Sequence, residues 1–120
     1  MNESTLKQAD LYNFTGTEHY YKHPLFPRYK FTDGVAYLVE SGMCLWLLTM
    51  ILSLSPTVEK KVKGFAQWKF KVNPDKTGIL TCENGNEKIV LREEINYTDF
   101  PLQEITLWME GDVLILPSEH

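Results

Sequence analysis

Apolar positions along this chain follow two different periods, and the change falls between residues 55 and 65. Before it they recur every three to four residues, the spacing of a helix face; after it they alternate, the spacing of a strand. Thr5 with Gln8 three residues on is a capping-box pair, and Leu6, Ala9 and Tyr12 continue at helical spacing towards Gly16, a residue suited to the left-handed turn after a helix. This predicts a helix over 5–14. Pro24 and Pro27 bar a helix from the next stretch, so 17–31 reads as loop with short extended pieces at Tyr20-Tyr21 and at 29–31. Thr32 or Asp33 supplies a capping oxygen to a second helix, in which Val35, Leu38 and Val39 share a face. Ser41-Gly42 ends or kinks it. From Met43 to Leu54 the chain is apolar nearly all round, with Thr49 and Ser53 as a thin polar stripe. A helix of that kind is covered on most sides, by its own domain or by a second copy of the chain. Ser55-Pro56 is expected to end it, leaving 56–64, with Glu59, Lys60, Lys61 and Lys63, as a solvated connection.

In the C-terminal half, Ala66, Trp68, Phe70 and Val72 fall on one face of a strand and Gln67, Lys69 and Lys71 on the other. Asn73-Pro74-Asp75 is turn chemistry, followed by a short strand at 79–82. Asn84-Gly85 is a tight-hairpin signal, because both residues accept positive φ. A longer strand over 87–97 places Ile89, Leu91, Ile95 and Tyr97 on one face and Arg92, Glu94 and Asn96 on the other. Asp99-Phe100-Pro101 breaks it, and strands at 104–109 and 113–116 flank a turn at Gly111-Asp112. Strands so close in sequence are expected to pair antiparallel as a meander. The pattern predicts an α+β domain spanning 1–120, with N-terminal helices (about 5–54) packed on one face of a C-terminal antiparallel sheet (about 65–117).

Composition narrows the function. A chain of 120 residues has room for one core. The formal charge of −4 argues against direct nucleic-acid binding by the whole chain. The deficit is uneven: residues 1–64 hold 7 basic and 6 acidic side chains, residues 65–120 hold 5 and 10. The longest clean apolar run, 43–54, falls short of the roughly 20 residues a membrane span needs. No basic stretch followed by an apolar one opens the chain, so no secretory signal is read there. Two cysteines in unlike surroundings, Cys44 and Cys82, do not suggest a disulfide framework. The sequons at Asn2, Asn13 and Asn96 then read as chance matches, and the expected location is cytoplasmic.

Three clusters carry candidate chemistry. His19 and His23 have the i, i+4 spacing of a helical metal pair, but Pro24 and the flanking tyrosines favour an extended backbone. There the two lie about 13 Å apart at about 3.3 Å per residue, so no metal site or cofactor is expected. Residues 12–37 hold eight of the fifteen aromatic residues, interleaved with Lys22, Arg28 and Lys30. Rings are first of all core material, but aromatic faces beside cations also hold bases and phosphates. Tyr20, Tyr21, Lys22, His23, Arg28 and Tyr29 are therefore the candidate contact residues. The acidic set Glu93, Glu94, Asp99, Glu104, Glu110 and Asp112 reads as the solvated face of the sheet, or as a patch for a basic partner. No nucleophile elbow or phosphate loop occurs, and Cys44 lies in an apolar helix.

Several segments resemble a family of small bacterial proteins of unknown function, with members on plasmids and in phages. The matching pieces are residues 14–23 (FTGTEHYYKH), 32–35 (TDGV), Trp46-Leu47, 68–72 (WKFKV), 81–86 (TCENGN), 98–102 (TDFPL) and 116–119 (LPSE). The chain departs from that family after Trp46-Leu47, where the family places an acidic residue and this chain has Thr49 and Met50. The resemblance implies no catalytic residues; it implies a mobile-element setting in which small proteins act by binding. The leading expectation is a non-enzymatic cytosolic binding module, acting on a host-defence protein as an anti-CRISPR does, or sequestering a nucleotide-like signal. Two alternatives stand beside it. One is a small hydrolase pairing His19 or His23 with Asp33 or Glu18; the other is a self-assembling structural protein with Met43 to Leu54 buried between copies.

Overall fold

The computed structural model describes residues 7–14 and 19–120. The Thr5–Gln8 capping pair, the Gly16 stop and Glu18 lie outside the described residues or their described side chains. The elements are α1 (Gln8–Leu11), β1 (Tyr20–His23), β2 (Phe26–Thr32), α2 (Asp33–Ser41), α3 (Leu45–Val62), β3 (Phe65–Val72), β4 (Gly78–Asn84), β5 (Ile89–Ile95), β6 (Glu104–Glu110), β7 (Val113–Ile115) and a closing 3-10 turn at Pro117–Glu119. The architecture is α+β. One seven-stranded sheet, ordered β1-β2-β7-β6-β3-β4-β5, carries α2 and α3 on one face.

The core forms where the two sequence periods meet. Ala66, Trp68 and Phe70 of β3, Leu80 and Cys82 of β4, and Ile105, Leu107 and Met109 of β6 are buried. Each set alternates with half-exposed residues, as a sheet covered on one face requires. Against this sheet α3 buries Leu47, Leu48, Ile51, Leu52, Ser55 and Val58. The apolar surface of 43–54 is therefore covered largely by the chain's own sheet, and what stays outside is Met43 and Leu45.

Three expectations are corrected. The first is the helix stop at Ser55-Pro56. The helix runs on to Val62, and 56–64 is not a connection. Pro56 lacks the N–H that would bond the carbonyl four residues earlier, at a cost of about 3 kcal/mol. Burial continues across it, with Ser55 and Val58 buried, and the Ser55 hydroxyl donates to the Ile51 carbonyl at 2.7 Å. The true stop is Lys63 in the left-handed conformation (φ 52°), followed by Gly64 (φ 94°).

The second correction concerns the loop at 17–31, most of which is the hairpin β1–β2. Pro27 is tolerated because β7 bonds β2 only at Lys30 and Phe31, so the missing N–H faces no strand. The third concerns the meander. β3, β4 and β5 follow it, but β6 pairs with β3, and β7 pairs antiparallel with β6 and parallel with β2. The Asn84-Gly85 hairpin also differs in detail. Its loop spans residues 85–88, the positive φ (65°) belongs to Glu87, and the Asn84 side-chain oxygen accepts from the N–H groups of Asn86 and Lys88.

Candidate binding groove

The hairpin β1–β2 and the corner between α2 and α3 enclose an open groove of about 560 Å³. Phe31, Ala36, Val39 and Leu48 line it together with Tyr21, Leu25 and Leu45; Lys22 and Glu40 are its charged members. Leu25 is 73% exposed and Leu45 57%, and Met43, in the corner itself, is 74% exposed. Met43 also has a positive φ of 51°, which is uncommon for a side chain of its size. Large apolar side chains gathered in this way around a concavity mark a contact surface more often than scattered ones do.

Three of the six candidate residues meet here. Tyr21 stacks on Phe31 with ring centroids 5.7 Å apart, and its hydroxyl donates to Asp33 Oδ1 at 3.0 Å. That bond holds the phenol above its ordinary pKa, since losing the proton would set two negative charges side by side. Lys22 follows it in the strand. His23 is buried, with 8% exposure: its Nδ1 accepts from the Leu25 N–H at 3.0 Å, so its Nε2, 3.1 Å from Thr49 Oγ1, carries the ring proton of the neutral form and donates. His23 thus fixes the turn that carries Leu25. Tyr20 is exposed and alternates with Tyr21 along β1.

The other two lie elsewhere. Tyr29 is 3% exposed and belongs to the core, where burial, and less strongly the nearby Glu59, raise its pKa; its hydroxyl makes no hydrogen bond among the described residues and, with Trp68, it lines a small cavity of about 30 Å³. Arg28 bonds Glu59 near the end of α3 and lies 3.5 Å from Asp112; the Glu59 bond raises its pKa further. Sequence reasoning missed Leu25, Val39 and Leu45. The signal available was the apolar surplus at the ends of the α2 and α3 patterns.

The histidine–carboxylate pair of the hydrolase alternative forms in part. His19 Nδ1 is 3.6 Å from Asp33 Oδ1, and the His19 N–H donates to Asp33 Oδ2 at 3.3 Å. Neither residue lines the groove or the four other main hollows, and His23 is not part of the pair. A second hollow, about 600 Å³ on the uncovered face of the sheet, is walled by Gln67, Lys69, Glu83 and Trp108. Its polar groups bond one another, as with Trp108 Nε1 donating to Gln67 Oε1 at 3.1 Å. Both cysteines are free and buried, and burial pushes each thiol up to about 12, which leaves little thiolate at neutral pH. Among the described residues no group of three His, Cys, Asp or Glu side chains is placed to hold a metal ion, and no helix is long and apolar enough to cross a membrane.

The N-terminus of α2 draws distant segments together. The Thr32 hydroxyl accepts from the Val35 N–H at 3.3 Å as the helix cap and donates to Glu119 Oε1 at 2.6 Å. The same oxygen accepts from the Leu116 N–H at 2.9 Å, and Glu119 Oε2 accepts from the Gly34 N–H at 3.1 Å. The pieces TDGV and LPSE are thus two halves of one clasp, and Tyr21 and His19 join it through Asp33.

Among sequence families, the match is to one described as "Family of unknown function (DUF6876)", over residues 5–120. No curated protein and no solved structure matches the chain.

Proposed function

We propose, from the premise that this chain belongs to the family of unknown function DUF6876, that it is a non-enzymatic binding module whose partner sits in the groove between β1 and the α2–α3 corner. The observation that carries this reading is the gathering of Tyr21, Leu25 and Leu45 around a mostly apolar concavity. Exposed apolar side chains are kept at a cost in solubility, and a partner that covers them removes that cost. The charge of the groove favours a polypeptide over a nucleotide. Phosphate recognition calls for convergent cations, whereas among the described residues Lys22 is the only cation lining the groove and Arg28 is engaged by Glu59 and Asp112. In the proposed setting the protein belongs to a mobile element, works in the cytoplasm and occludes a host-defence protein.

Leu45→Lys tests this. The side chain is exposed, so the fold should be unaffected, while a charge enters the rim. With a photoreactive residue in place of Leu25, the wild-type protein is expected to crosslink a discrete partner in its source cells. Leu45→Lys should lower that yield at least about tenfold, and a Tyr97→Lys control should not. Equal yields from Leu45→Lys and the wild type would overturn the reading.

A further inference from the structure

We propose that the partner is an extended polypeptide segment that adds to the outer edge of β1 as an eighth strand, with alternate apolar side chains in the groove and carboxylates between them within reach of Lys22, which borders it. The proposal rests on the groove reading above and specifies its occupant.

Three observations lead here. First, β1 is the terminal strand of the sheet, so the backbone groups on its outer side have no strand partner among the described residues. An added strand satisfies those groups whatever its sequence, and alternate side chains supply the selectivity. Second, the groove lies on the helix side of that edge. Tyr21 and His23 turn towards the helices, as the Tyr21–Phe31 stack and the His23–Thr49 bond show, so every second side chain of an added strand would project over Val39, Leu45 and Leu48.

The third observation is charge. The hairpin from Tyr20 to Thr32 holds Lys22, Arg28 and Lys30 and no carboxylate. Arg28 is paired, but Lys22 and Lys30 sit directly opposite one another in the β1–β2 register, and neither is in an ion pair among the described residues. Like charges in that relation are destabilising. A lysine on an edge strand discourages indiscriminate pairing. It also admits an acidic strand, whose carboxylates would neutralise the pair. A helical ligand would leave both the edge and the two lysines unengaged. The shortness of β1, four residues with a bulge between Lys22 and His23, limits the contact to a short motif.

The experiment is selection of random 12-residue peptides displayed against the intact protein, with Leu45→Lys as a parallel bait. The enriched peptides are expected to alternate apolar and acidic residues with period two, and to bind Lys22→Glu at least tenfold more weakly than the wild type. The same peptides with lysine in place of the acidic residues should instead prefer Lys22→Glu. Anchors at helical spacing, or indifference to Lys22→Glu, would overturn strand addition and leave the groove standing. Equal enrichment on Leu45→Lys, or no enrichment at all, would overturn the groove reading too. Concentration-dependent self-association abolished by Lys22→Glu would assign the edge to a second copy of this chain and overturn an external partner.

Discussion

Phe70→Ala is expected to destabilise the fold by about 4 kcal/mol, the range for deleting a fully buried ring. Phe70 is 1% exposed and packs edge-on between Trp46 of α3 at 5.3 Å and Phe100 at 5.7 Å, so it ties helix, sheet and the 98–102 segment together. Edge-to-face pairs add about 0.5–1.5 kcal/mol each beyond burial. Gly78 on the neighbouring strand is fitted to this ring: a Cβ there would lie 2.6 Å from two of its atoms. Gly78→Ala should therefore be disruptive in the wild type and much milder beside Phe70→Ala, where the new methyl enters the hole. Urea unfolding of the two single variants and the double variant should give a coupling of at least about 1 kcal/mol in that sense. Simple additivity would show that the ring does not set the size of residue 78.

Glu119→Ala is the second large effect, with an expected loss of about 3 kcal/mol. One carboxylate accepts from the Thr32 hydroxyl and from the N–H groups of Leu116 and Gly34, and it sits at the N-terminus of α2, where a negative charge is favoured. Removing it leaves the Gly34 N–H and the buried Thr32 hydroxyl without that acceptor. Glu119→Gln keeps the shape and loses the charge, so it should cost about half as much. For a domain of this size the alanine variant should melt roughly 10 °C lower. A shift under about 3 °C would mean that the 3-10 turn is held by packing alone.

The elements that period and capping chemistry predict are those whose causes are local. The alternation from Ala66 to Phe70 and the Thr32 cap appear in the structure as they do in the sequence, because each is decided within a few residues. Pro56 misled for the opposite reason. A local breaker was outweighed by burial on both sides of it, and Val58 and Val62, at helical spacing from Ser55, were the available hint. Least legible was the place of β7, which pairs in parallel with a strand more than eighty residues earlier. No periodicity announces such a partnership.

The groove was legible by half. Tyr21, Lys22 and His23 were marked by aromatic and basic clustering, and that clustering equally marked Tyr29, which the core claims, and Arg28, which two carboxylates claim. Composition along the chain does not say which ring faces outward. The choice falls to strand register and to the arrival of α2 and α3, which supply Val39, Leu45 and Leu48 from outside the cluster.

β7 has a consequence for biosynthesis. It is the strand that joins β2 to β6, so a chain still missing residues 113–120 holds its sheet in two pieces, the β1–β2 hairpin on one side and β6-β3-β4-β5 on the other. Ribosomes add about 5–20 residues per second, and the last of the described strands to be made is the one that unites the halves. The hairpin and the groove therefore lack their sheet connection to β6 until residues 113–115 have been made. Protease digestion of stalled nascent chains should find them cleavable in chains that stop at residue 112 and protected once β7 has left the ribosome.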